Sequence, residues 1–196
     1  MKEYIKLNHM TPVKSSNLPQ MEYFLPHHPV IKEPSLTTKL RVVFDGSQKT
    51  TTGLSLNDIQ FTEPSLQADI FAALLIFRQH RFIVTADIEK MYRQVLIAPS
   101  QRCFQRILWR ETPTDELLTY ELNTVTYGTV SAPYLAVRCL HYLADENIIQ
   151  YPTEARIIKR EIYIDDLGDY YTTQLVGPNL ECRRGTKLDE CLTYHK

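Results

Sequence analysis

The stretch Ile157–Thr173, IIKREIYIDDLGDYYTT, sets two adjacent acids, Asp165 and Asp166, among apolar, aromatic and β-branched residues. Ile157–Ile164 and Leu167–Thr173 read as two strands, with the acids at the turn of a β-hairpin. Upstream, Phe82–Ile88 (FIVTADI) is a short apolar strand that delivers Asp87 near its end. Acids flanked this way stand at the edge of a core, partly desolvated. Carboxylates gathered there repel one another, and one is neutralised unless cations are bound. Hard oxygen ligands suit Mg²⁺ or Mn²⁺. A pair of such ions about 3.5–4 Å apart stabilises both the attacking and the leaving oxygen of a phosphoryl transfer. The competing reading is plain: paired acids are good turn formers. For an isolated Asp-Asp pair that reading is the stronger one.

Outward from this stretch, Leu40–Phe44 (LRVVF) reads as a strand after a proline-containing extended segment, and Gly46–Gly53 as a polar turn. Pro64–His80 has apolar residues at helical spacing, with Ser65 or Asp69 available as a cap. Phe104–Trp109 and Thr119–Val125 are strand candidates. Pro133–Asp145 is a helix with Ser131 near its cap. Residues 1–20 read as an extension or an approach strand. Lys14–Ser16 reads as a surface loop. Periodicity fades from Gly177 to Lys196.

Composition bounds the rest. The chain has 196 residues, 43% hydrophobic and 23% charged, ordinary values for a globular domain. It is one domain, or part of a larger one. The longest apolar run, Phe71–Phe77, is too short to span a bilayer. No secretory signal pattern opens the chain, and four cysteines without close pairs fit a reducing compartment. The net charge of -1 does not favour a nucleic-acid partner. Locally, Ile76–Arg110 carries seven basic residues against two acids, while Glu111–Glu146 carries six acids against one Arg. A basic stretch suits a polyanion; a solvated mixed-charge surface explains it equally well.

The neighbours of the acids shift this balance. Asp87 is followed by Tyr92, and Tyr127-Gly128-Thr129-Val130-Ser131-Ala132-Pro133 precedes the Tyr163-Ile164-Asp165-Asp166 motif. In this order the three segments resemble the palm motifs of reverse transcriptases. The segments Tyr23–Val30 (YFLPHHPV), Thr37–Asp45 (TTKLRVVFD) and Leu54–Asp58 (LSLND) resemble the Bel/Pao class of long-terminal-repeat retrotransposons. So do Phe104–Trp109 (FQRILW) and Tyr120–Gly128 (YELNTVTYG). The likeness covers about residues 9–174. As a set it is specific, although Tyr-x-Asp-Asp alone is not.

The resemblance implies an RNA-directed DNA polymerase domain of a retrotransposon polyprotein. The implied fold is α+β, a right-hand polymerase fingers-and-palm with a small antiparallel palm sheet backed by helices. After an N-terminal extension, 1–20, fingers span about 21–80 and 97–130, and palm about 81–96 and 131–174. An unassigned tail, 175–196, follows, and the thumb and ribonuclease H regions find no counterpart in the sequence. In such enzymes a primer 3′-hydroxyl attacks the α-phosphate of a deoxynucleoside triphosphate on an RNA or DNA template. Carried over residue by residue, Asp87, Asp165 and Asp166 hold two Mg²⁺ ions, with Mn²⁺ as a substitute. Ile88 offers its backbone carbonyl to one of them. Arg41 clamps the triphosphate, with Lys32 or Lys39 beside it. Tyr92 lies beneath the sugar and its ring faces the nucleotide. Gly128 lets the backbone approach the nascent pair, and Tyr127 stands where many retroviral enzymes carry Gln. The implied setting is intracellular, a cytoplasmic virus-like particle. With no thumb, little processive synthesis is expected of this chain.

Two other readings stay open. One is a catalytically silent retroelement relic that at most binds nucleic acid. The other is a two-metal nuclease built on the same acids, against which Tyr92 and the Arg41 strand speak. His27-His28 could ligate a metal but read rather as part of an extended finger segment, and the tail's Cys182, Cys191 and His195 lack the close Cys-x₂-Cys pair of a zinc knuckle.

Overall fold

Two hydrophobic clusters organise the chain. One gathers Met10, Leu25, Phe44, Leu56, Ile107, Tyr120 and Leu122; the other gathers Ile88, Met91, Tyr92, Val125, Ala132, Ala136, Val137 and Leu140. The structure, a computed structural model, describes residues 1–13, 21–31, 40–67, 69–78, 83–163 and 166–170. Lys32, Lys39, the Lys14–Ser16 loop, Ile164, Asp165 and the tail lie outside the described residues.

The architecture is α+β with three small antiparallel sheets. The first orders β1 (Met10–Pro12), β6 (Leu118–Leu122) and β5 (Arg106–Trp109), with β6 in the middle. The second pairs β2 (His27–Ile31) with β3 (Leu40–Phe44). The third orders β4 (Ile83–Asp87), β8 (Asp166–Tyr170) and β7 (Ile162–Tyr163), with β8 in the middle. Helix α1 (Lys2–Lys6) opens the chain, α2 (Leu56–Ile59) and α3 (Ile70–Phe77) lie between β3 and β4, and α4 (Ala132–Glu146) and α5 (Pro152–Glu161) lie between β6 and β7.

Helix α4 forms where a Pro enters the first turn and apolar residues recur along one face. Ala132, Ala136, Val137, Leu140 and Ala144 are all buried, closing the second cluster. Ser131 occupies the N-cap but does not cap the helix through its side chain; its Oγ bonds Gln60 Oε1 at 3.2 Å. Helix α2 is one turn long. A reciprocal capping box holds it: the Asp58 amide donates to Ser55 Oγ, and the Ser55 amide donates to Asp58 Oδ2. The Ser55 amide and the Ser55 hydroxyl, which both donate to Asp58 Oδ2, hold that carboxyl below its usual range.

Three expectations are corrected, and one pair of alternatives is decided. Ile157–Ile164 is not a strand: α5 runs to Glu161 and only Ile162–Tyr163 pair with β8. Glu154 in its first turn and Lys159 and Arg160 in its last complement the helix dipole. Ala155 is buried, and Ile158 packs against the α4 cluster. Helix α3 is shorter than Pro64–His80, starting after Asp69, whose Oδ1 accepts the Phe71 amide at 3.4 Å. For residues 1–20 the approach-strand alternative holds at Met10–Pro12. Residues 1–12 supply α1 and the edge strand β1, whose register sets Met10 opposite Leu122. Strand β5 also begins two residues later than expected, because Pro99–Gln105 winds into a 3₁₀ helix.

Candidate nucleotidyl-transfer site

Antiparallel pairing of β4 with β8 sets Asp87 opposite Asp166, at the end of a five-pair ladder that starts at Ile83 and Tyr170. Directly opposed positions in such a ladder share one face of the sheet, with Cβ atoms about 4.5–5.5 Å apart. On its other edge β8 pairs with β7, so Asp166 also faces Tyr163 of the Tyr-x-Asp-Asp motif. Two of the three sequence-identified acids thus meet at one register position.

The chain leaves β4 through a tight turn. Ile88 is buried, and its carbonyl accepts the Met91 amide at 3.1 Å. A carbonyl has two lone pairs, so one remains for a further ligand. Lys90 holds a left-handed backbone, φ 53°, and its ammonium pairs with Glu3 and Glu89. A non-glycine residue in this region stores strain, a common feature beside functional sites. The 3₁₀ helix Met91–Gln94 follows and places Tyr92.

Tyr92 is only 6% exposed and belongs to the α4 cluster, so the expectation of a ring facing an open pocket is corrected. The exposed ring is that of Tyr127, at 41%. The two rings meet at 4.3 Å between centroids, tilted by 41°. Tyr92 backs Tyr127 from the core side.

Gly128 follows with φ 93°, a conformation that L-side chains rarely adopt. A Cβ there would lie 2.0 Å from the Phe44 carbonyl oxygen. Gly46 is confined less tightly: its Cβ would meet the Gly128 carbonyl at 2.7 Å. Asn57 locks this junction. Its Nδ2 donates to the Gly128 carbonyl at 3.0 Å and its Oδ1 accepts the Val130 amide at 2.9 Å. The end of β3 is thereby stitched to the turn carrying Tyr127 and Gly128. Arg41, three residues before Phe44 on β3, is exposed and sits opposite Val30 of β2.

Three contributors had no assigned role in the sequence. Asn57 was part of a quoted motif without a function. Arg93 follows Tyr92 and is 5% exposed. Its guanidinium donates to Thr124 Oγ1 at 3.3 Å, Thr126 Oγ1 at 3.5 Å and the Tyr4 hydroxyl at 3.1 Å. It lies over the rings of Tyr4, Phe44 and Tyr127 at 4.6, 5.4 and 5.7 Å. No described carboxylate forms an ion pair with it. Burial therefore lowers its pKa, opposed by Tyr4 and Tyr127. Tyr4 is the third contributor, and its signal was absent because α1 shows no apolar period.

No family model matches the chain, and no curated protein matches its sequence. Among the described residues, no helix is long and apolar enough to cross a membrane.

Proposed function

We propose that the chain is the fingers-and-palm part of an RNA-directed DNA polymerase of the Bel/Pao retrotransposon type, working in a cytoplasmic particle. The observation that carries this reading is the register of Asp87 against Asp166. Two acids opposed at a strand end gather negative charge that a divalent cation neutralises, and oxygen donors fit Mg²⁺ or Mn²⁺. Asp87, Asp165, Asp166 and the Ile88 carbonyl would hold two such ions. When bound, the ions stabilise the charge that develops on the attacking and leaving oxygens.

The chain's own residues orient the substrate. Arg41, on the exposed hairpin of β2 and β3, offers a planar guanidinium for bidentate contact with the triphosphate. Tyr127, backed by Tyr92, forms the surface on which the nucleotide sugar rests. Gly128 removes a side chain where backbone and base pair approach. The template–primer is RNA or DNA, held chiefly through its phosphates.

The test is single-nucleotide primer extension on a homopolymer template at low salt with Mg²⁺ or Mn²⁺. Incorporation by the wild-type chain that is abolished in Asp87→Asn and Asp166→Asn supports the reading. Incorporation that survives both substitutions, or none in any condition, removes it.

A further inference from the structure

Arg93 is a buried cation whose described partners are hydroxyls and aromatic rings rather than carboxylates. Such a charge is costly to bury, and it is tolerated only where its neighbours are held in fixed positions around it. Those neighbours are informative. Thr126 directly precedes Tyr127, Thr124 lies two residues further back, and Tyr92 is adjacent in sequence to Arg93 itself. The same two segments are zipped by their backbones. The Val125 amide donates to Val95 O at 2.8 Å, and Leu96 bridges Thr124. The exposed Tyr127 ring meets Tyr92 at 4.3 Å between centroids and has the Arg93 guanidinium 5.7 Å from its centroid. A cation near an aromatic face is attracted by the ring quadrupole, more strongly when desolvated.

We propose that Arg93 is a positioning residue for Tyr127: it fixes the exposed ring against Tyr92 and so sets the preference between deoxyribo- and ribonucleotide at the site. The sugar consequence rests on the polymerase reading above; the positioning of the ring does not. Arg93 touches no substrate. It acts only through the tilt and spacing of the Tyr127 ring, on which a 2′-hydroxyl would be felt.

Two measurements on the full chain test this. The first is the nuclear Overhauser contact between the ring protons of Tyr92 and Tyr127. It should be strong in the wild type, where the ring centroids lie 4.3 Å apart, weaker in Arg93→Lys and lost in Arg93→Met. The second is the ratio of kcat/KM for dTTP over ribothymidine 5′-triphosphate, which differ only in the 2′-hydroxyl, in single-nucleotide extension. Arg93→Met lowers this ratio about tenfold, through a higher KM for dTTP with kcat little changed. Arg93→Lys keeps the charge and should recover part of the ratio. If Arg93→Met does not fold, Arg93→Lys and Thr124→Val carry the same comparison. An unchanged ring contact, or an unchanged nucleotide preference in an active enzyme, overturns the proposal. A wild-type chain with no incorporation sensitive to Asp166→Asn overturns the polymerase reading instead, and the ring contact then decides Arg93 alone.

Discussion

Gly128 and Asn57 form a junction that tolerates little change. Placing Ala at 128 forces an L-residue to φ 93° and drives a Cβ to 2.0 Å from a backbone oxygen. Left-handed strain costs ~1–2 kcal/mol and overpacking ~1–3 kcal/mol, so Gly128→Ala should lose about 3 kcal/mol in urea unfolding. Asn57→Ala removes two hydrogen bonds to the same turn and should lose ~1–2 kcal/mol, while leaving an unpartnered carbonyl and amide beside Tyr127. A Gly128→Ala variant as stable as wild type would mean that Phe44 yields easily. The glycine was legible in the sequence only as part of a motif. Its physical reason was not, because Phe44 lies more than eighty residues earlier and no local pattern reveals that approach.

At the scale of elements, the hairpin of β2 and β3 carries a titration of its own. His27 is half-buried, with its ring 6.0 Å from those of Phe44 and Trp109. Burial lowers its pKa below the ordinary 6.5, only partly offset by a backbone hydrogen bond with Leu25. The unfolded chain then binds the proton more readily than the folded one. Stability from this group is full above 6.5 and declines as pH falls toward the lower folded pKa. His9 and His141, lowered chiefly by burial, act in the same sense. Urea midpoints should therefore drop between about pH 7 and pH 5, and His27→Gln should flatten that slope in part. An equal slope in the variant would assign the effect elsewhere.

Elements also show what sequence patterns can and cannot carry. Strand β4 and helix α4 were legible within one or two residues, because an apolar run and an apolar face with Pro at its start are local signals. Helix α5 was misread. Ile157, Ile158, Ile162 and Ile164 suggested a strand, yet Pro152, Glu154, Lys159 and Arg160 carry the opposite signature of a helix with complemented ends. Packing of Ala155 and Ile158 toward α4 settles the competition. An approach strand in residues 1–20 was one of two alternatives, but its bounds were illegible, since three residues are too few to show alternation. The meeting of Asp87 with Asp166 was inferable only from resemblance, because register is a tertiary fact.

Across the whole molecule, Arg106 ties separate parts of the chain together. It is 2% exposed and pairs with Glu22 ahead of the β2–β3 hairpin and with Glu121 on β6. The segment around Glu22 is bound to the same place through its backbone, with the Leu25 amide donating to Arg106 O at 2.7 Å. Removing one partner of a buried pair typically costs ~3–5 kcal/mol. Here Glu22 remains and both carboxylates are partly exposed, so Glu121→Gln should lose about 2 kcal/mol in urea unfolding. A neutral outcome would show that Glu22 alone neutralises the guanidinium.

The edge strand β1 has a consequence for the order of assembly. Thr11 and Asn123 are bonded across 112 positions of sequence, and no strand nearer in the chain pairs with β1 among the described residues. At a synthesis rate of about 5–20 residues per second, β1 leaves the ribosome on the order of ten seconds before β6. During that interval its hydrogen-bonding edge has no native strand partner. Closing so long a loop adds a slowly growing entropic cost and places the contact late on the folding path. Residues made well before their partner strand are then among the last to find their place in the sheet.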